Sequence, residues 1–228
     1  ENTVTFGSIT LMITPFANGE YGSPQIININ VNSSPNLPSL ATTSICNHEN
    51  YYLSINSLPI YPNTTYSWTF TANNVIGATA GSGQGNFVIN QQLSLLFPDF
   101  SGSVTYHITP SLNGCNGTTV NYTVIVNPIP NTGSEGEISV SEASTTPIDL
   151  FSIISGEELG GNWNRISGSG GTFNAVIGTF TPEVGATNST FIYELTNSDT
   201  GCYSNTLATI NIDTIPIGLA NTTNQTIS

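Results

Sequence analysis

Slid against itself by 95 residues, the sequence lays residues 7–32 on 102–127 without a gap. Identities fall at Gly7/Gly102, Ser8/Ser103, Thr10/Thr105, Ile13/Ile108, Thr14/Thr109, Pro15/Pro110, Asn18/Asn113, Gly19/Gly114, Gly22/Gly117, Val31/Val126 and Asn32/Asn127. Turn glycines and strand phase are kept together, which marks a repeated structural unit rather than a chance match. A weaker third copy lays Phe191, Tyr193 and Leu195 on Val104, Tyr106 and Ile108, with Gly201-Cys202 on Gly114-Cys115. One deleted residue later, Thr209, Ile212 and Asp213 fall on Thr123, Val126 and Asn127.

Within the repeat the pattern has period 2. Val104, Tyr106 and Ile108 alternate with Thr105, His107 and Thr109, which gives a strand one apolar and one polar face. The same phase runs through Tyr66-Trp68-Phe70, Tyr122-Val124-Val126, Phe191-Tyr193-Leu195, Ala208-Ile210-Ile212 and Ile27-Ile29-Val31. Gly, Pro, Asn and Ser bound each run. Helical periodicity is nearly absent; residues 148–159 hold the best candidate for a helical turn, kept short by Gly156 and Gly160-Gly161. The fold class expected is all-β, built from tandem sandwich modules.

Each copy ends in a hairpin that leads to a Pro-containing exit, at residues 32–38, 127–130 and 213–216. Proline stiffens such joints and stops ladder continuation. The expected organisation is residues 1–34 as the end of one module, 35–128 as a complete module, 129–213 as a second, and 214–228 as a linker and the start of a next. No run of about 18 apolar residues exists, and residues 1–20 lack a basic start and apolar core, so no signal peptide or membrane insertion is expected.

The surface is acidic and amide- and hydroxyl-rich. Fourteen carboxylates face a single cation, Arg165, for a net charge of -13. Backbone phosphates need clustered Lys and Arg, so nucleic acid is excluded as a partner, and anionic membrane surfaces are disfavoured. With 7% charged residues, wetting falls to 32 Thr, 26 Ser and 28 Asn. Three cysteines, Cys46, Cys115 and Cys202, are too few for a disulfide-rich scaffold and lack C-x-x-C spacing. Together these features fit an exported chain.

Candidate chemistry is sparse. His48 and His107 are the only histidines, no G-x-S-x-G elbow is present, and His48-Glu49 lacks the H-E-x-x-H spacing of a zinc site. Glu157 and Glu158 are adjacent, so on a strand they would point to opposite faces, while Asp149, Glu183, Glu194 and Asp199 are scattered. Neither a catalytic set nor a resident cofactor is therefore expected. Calcium is the one cation with an opening, through Asp199, Glu183 or carbonyls near Asp213, although no D-x-D-x-D-G loop is present. The glycine runs 81–85 and 168–171 lack the Lys and the strand-to-helix frame of a phosphate cradle and read as turns or flexible loops. Tyr51, Tyr52 and Tyr61 offer a sugar-stacking face, with strand core the simpler reading for most of them.

The run Ser103-Val104-Thr105-Tyr106-His107-Ile108-Thr109-Pro110, then Asn113-Gly114-Cys115-Asn116-Gly117 and Val124-Ile125-Val126-Asn127-Pro128, resembles the end of a PKD-like module of large Bacteroidota surface proteins. Ser44-Ile45-Cys46 and Tyr66-Ser67-Trp68 fit the same pattern upstream. Asp149-Leu150-Phe151, Gly160-Gly161-Asn162-Trp163, Gly171-Thr172-Phe173 and Gly201-Cys202 resemble a sister Ig-like repeat of those proteins. The nearest in style are the giant gliding-motility adhesins of flavobacteria. The resemblance implies type IX secretion, display on the cell surface, and a role as filament spacer in adhesion or gliding. The partners implied are neighbouring modules of the same chain and, at the surface, polysaccharide or other cell-surface and motility proteins.

Within this resemblance Cys46 and Cys115 are expected to form a bridge beside Trp68, worth roughly 4 kcal/mol for so long a loop; two buried free thiols are the alternative. Glu20 stands where the repeat has Cys115, and Cys202 reads as a buried apolar residue. Asp213-Thr214-Ile215 resembles the Bacteroidota O-glycan acceptor, which makes Thr214 a candidate for glycosylation. The other function considered is an accessory carbohydrate-binding module of a secreted enzyme.

Overall fold

A computed structural model of the chain describes residues 7–56 and 61–214. The chain divides into two units, Glu1–Pro128 and Ile129–Ser228. The described residues are almost entirely strand and turn, as the period-2 pattern dictates, and the fold is that of an Ig-like β-sandwich. Among them the one helical element is a 3-10 turn at Leu150–Ser152, started by the Asp149 carboxylate, which accepts from the Phe151 N–H at 3.0 Å.

In the first unit the main sheet runs Thr43–Cys46, Val120–Asn127, Gly102–Leu112, Thr65–Asn73, Gly81–Gln84. Across it lies the pair Asn50–Ile55 and Phe87–Gln92. The inward phase read from the sequence fills the space between: Val104, Tyr106, Ile108, Tyr122, Val124, Val126, Tyr66 and Trp68 meet Tyr51, Leu53, Ile55 and Ile89 in one core. Tyr106 and Tyr51 stack at 6.2 Å. The Tyr106 hydroxyl donates to Gln91 Oε1 at 2.7 Å, and Gln91 Nε2 and Trp68 Nε1 both donate to the Thr79 carbonyl at 2.9 Å. Burial, with Tyr51 adding to it, pushes the Tyr106 phenol up to about 12.

Gly81 and Gly83 lie in an edge strand, Gly81–Gln84, rather than in a loose loop. A Cβ at Gly81 would lie 2.4 Å from Trp68 Cζ2, and one at Gly83 would lie 2.4 Å from Phe87 Cδ2. The two rings, 4.9 Å apart, occupy the room that side chains on this strand would need.

The second unit packs the sheet Gly136–Ser141, Tyr203–Asp213, Ser189–Thr196, Asn162–Ser167 against the smaller sheet Ile148–Asp149, Thr179–Thr181, Thr172–Asn174. Trp163, Phe180, Phe191, Tyr193, Ala208 and Ile210 make its core, with Leu150 and Ile154.

In both units the segment that begins the sandwich runs parallel to the last strand. In the first, the Pro38 carbonyl accepts from the Tyr122 hydroxyl at 2.6 Å, and Thr43–Cys46 then pairs Val124–Asn127. In the second, Thr132 Oγ1 lies 3.1 Å from Ser204 Oγ, and Gly136–Ser141 then pairs Ala208–Asp213. Each unit therefore takes the chain in at one end of its strands and releases it at the other, a path of about 30 Å for ten residues of strand.

Candidate functional site

The repeated hairpin is the feature the sequence singles out, and its first two copies match bond for bond. Gly7 pairs Val31 and Gly102 pairs Val126, each 95 residues apart. The bend repeats as well: the Gly22 N–H donates to the Pro15 carbonyl, and the Gly117 N–H to the Pro110 carbonyl, both at 2.8 Å. At the tips Asn18 and Asn113 have φ of 54° and 50°, followed by Gly19 and Gly114 at 87° and 82°. Asn-Gly is the pair that tolerates this left-handed turn best, which is why both residues recur.

The expected Cys46–Cys115 bridge is not formed, and the register explains why. Cys46 pairs Asn127, at the Gly102 end of the sheet, whereas Cys115 pairs Leu112 at the hairpin tip. Ten steps along the Gly102–Leu112 strand separate those levels, about 30 Å, while a disulfide needs Cα atoms within about 7 Å. Cys115 is a free thiol, and Cys46 and Cys202 are the disulfide-bonded cysteines. Cys202 is buried as expected, but as a disulfide-bonded residue rather than as a merely apolar one. Denatured without reductant, the protein is expected to titrate one thiol, and Cys115→Ser to titrate none; a count of three in the parent would contradict the assignment.

The polar candidates do not converge. His48 Nδ1 lies 2.9 Å from Ser94 Oγ on an exposed surface, and Glu49 Oε2 accepts from the Cys46 N–H at 2.8 Å. His107 lies on the outer face between Asn121 Oδ1 and Thr71 Oγ1, at 2.8 and 3.3 Å. Glu157 and Glu158 sit in a loop rather than on a strand. There Glu158 Oε1 accepts from the Asn131 N–H at 3.2 Å, and the Glu158 carbonyl accepts from the Tyr193 hydroxyl at 2.8 Å. Glu194 accepts from Tyr203 and Asn164.

The calcium candidates fall at opposite ends of the second unit. Asp199 is in the turn beyond Thr196, whereas the Asp213 carbonyl, which accepts from the Glu142 N–H, ends the strand that pairs Ser189 with Ile210. The Glu183 carboxylate lies beside Gly170, in the loop wrapped around Arg165. Among the described residues no group of three or more His, Cys, Asp or Glu is placed to hold a metal ion.

Tyr51 and Tyr61 are buried, which leaves Tyr52 alone exposed of the three tyrosines. Thr214 is exposed at the last described position, and residues 215–228 of the expected linker lie outside the described residues.

The glycine run 168–171 has a role that the sequence alone does not show: it wraps Arg165. The guanidinium donates to the Gly170 carbonyl at 2.7 Å, to Ser189 Oγ at 2.6 Å and to the Ser167 carbonyl at 3.2 Å. It also lies over Phe180 and Phe191, at 5.2 and 5.8 Å from the ring centres. Gly168, Gly170 and Gly171 all have φ between 71° and 90°, which lets the loop turn its carbonyls inward. Burial lowers the Arg165 pKa from its ordinary value.

Residues 43–130, less than half of the chain, match the family of the PKD-like domain. No curated protein matches the sequence. Many solved structures resemble it weakly, three of them as follows. Drosophila N-cadherin EC1-3 is 12% identical with a TM-score of 0.31, over 91% of this chain and 78% of that one. An endo-fucoidan hydrolase of glycoside hydrolase family 107 is 9% identical with a TM-score of 0.28, over 92% and 34%. Sidekick-1 immunoglobulin domains 1-4 are 12% identical with a TM-score of 0.27, over 80% and 46%. This chain thus spans less than half of the last two, and similarity of this size says nothing of function. The PKD-like match and the disulfide-bonded cysteines belong together in an extracellular, adhesion-type module.

Proposed function

We propose that this chain is a repeat segment of an exported cell-surface adhesin filament, of the gliding-motility type, in which Ig-like modules add length between an anchor and an adhesive tip. Residues 35–128 and 129–213 are the modules of this reading, and its chemistry is that of a spacer rather than an enzyme. The observation that carries it is the parallel pairing of first and last segments in both units, at Thr43–Cys46 with Val124–Asn127 and at Gly136–Ser141 with Ala208–Asp213. A module that passes the chain from one end of its strands to the other gains reach with each copy; one that returned the chain to its starting point would not. The net charge of -13 keeps neighbouring filaments apart. Secretion by the type IX route and O-glycosylation at Thr214 belong to the same proposal.

Pulling single molecules by their termini tests it, in reductant so that no disulfide shields part of the chain. Two separate ruptures are expected, each releasing about 250–300 Å of contour. A single rupture releasing both lengths at once, or smooth extension without peaks, would sink the spacer reading.

A further inference from the structure

The first hairpin carries a face that nothing among the described residues covers. Ile9, Leu11, Ile13, Ile27, Ile29 and Val31 are each between 42% and 52% exposed. Their counterparts 95 residues on, Val104, Tyr106, Ile108, Tyr122, Val124 and Val126, are 4% exposed or less. The opposite faces correspond as well: Thr10 donates to Asn28 across the first hairpin at 2.9 Å, where Thr105 and Thr123 meet at 2.9 Å in the second. The two copies thus share register, bend and outer ladder and differ in what lies against the inner face. In the second copy that cover is the Asn50–Ile55 and Phe87–Gln92 pair, through Tyr51, Leu53, Ile55 and Ile89. A two-stranded hairpin with no such cover is marginal in water, and six half-exposed aliphatic side chains on one face are a seat for a partner.

We propose that this face is the seat for the opening strands of an Ig-like module that precedes it in the same polypeptide, the equivalent of residues 35–101. The inference rests on the repeat-filament reading and specifies one of its joints. Recognition is by apolar sheet-on-sheet packing, with aliphatic and aromatic side chains of the incoming pair taking the places of Tyr51, Leu53, Ile55 and Ile89. The strands of the hairpin are already in the register that the completed module needs.

A chimera tests this directly: a second copy of residues 35–101 replaces residues 1–6 and is joined from Ser101 to Gly7, the junction the 95-residue offset dictates, with the rest of the chain unchanged. Amide hydrogen exchange at residues 7–31 is expected to slow by roughly two orders of magnitude or more, toward that of 102–126. Leu11→Asp is expected to abolish the gain in the chimera and to leave exchange in the parent unchanged. Unaltered exchange in the chimera would overturn the proposal, as would protection that survives Leu11→Asp. So would a parent chain whose residues 7–31 are already protected in a concentration-dependent dimer by sedimentation, since the seat would then belong to a second copy. None of these outcomes touches the two-rupture test, so the seat and the spacer reading fail separately.

Discussion

Tyr193→Ala is expected to take most of the stability from the second unit while leaving the first intact. The ring is fully buried and packs against Phe151 at 5.2 Å and Trp163 at 5.1 Å. Its hydroxyl accepts from the Gly161 N–H and donates to the Glu158 carbonyl, both at 2.8 Å, so it holds the loop that leads into the Asn162–Ser167 strand. Truncating a buried aromatic costs about 3–5 kcal/mol, and the two backbone groups left without a partner add to this. A domain of this size has about 5–15 kcal/mol in all, so most of its stability goes. Urea unfolding read by peptide-resolved hydrogen exchange is expected to show the 129–213 transition displaced to far lower urea and the 35–128 transition unmoved. Tyr193→Phe keeps the ring and loses only the hydroxyl, and is expected to cost about 1–2 kcal/mol. A joint shift of both transitions would show that the units do not fold independently.

Arg165→Ala is the second large effect, expected at about 2–4 kcal/mol from three charge-assisted hydrogen bonds and the contact with two rings. Arg165→Lys is expected to recover little of it. An ammonium supplies charge but not the planar fork that reaches the Ser167 and Gly170 carbonyls and Ser189 Oγ at once. Loss is expected to concentrate in the 168–171 loop and the Ser189 end of its strand, visible as faster amide exchange there. Full rescue by lysine would mean that charge alone matters at this position.

What the sequence made legible is what depends on neighbours along one strand. The inward phase of Val104, Tyr106 and Ile108 is set by alternation alone, and the structure buries all three completely. The short turn at Leu150–Ser152 falls within residues 148–159, where Gly156 and Gly160-Gly161 leave room for nothing longer. The misreadings concern residues whose role is set by strands far away in sequence. Whether Cys46 meets Cys115 depends on how far Thr43–Cys46 slides along Val120–Asn127, and no local pattern encodes that register. Gly81 and Gly83 weaken the strand signal of their segment because they lack side chains, and they lack them because Trp68 and Phe87 need the space. The glycines around Arg165 read as punctuation until the guanidinium they enclose is in view.

The enclosure of Arg165 has one more consequence. It is the only Lys or Arg in the chain, so a trypsin-like protease finds a single scissile bond, after a side chain tied down by three hydrogen bonds within a folded sandwich. Digestion at that bond must wait for the second unit to open, so a surface rich in Thr, Ser and Asn presents such enzymes with nothing to cut while the fold holds.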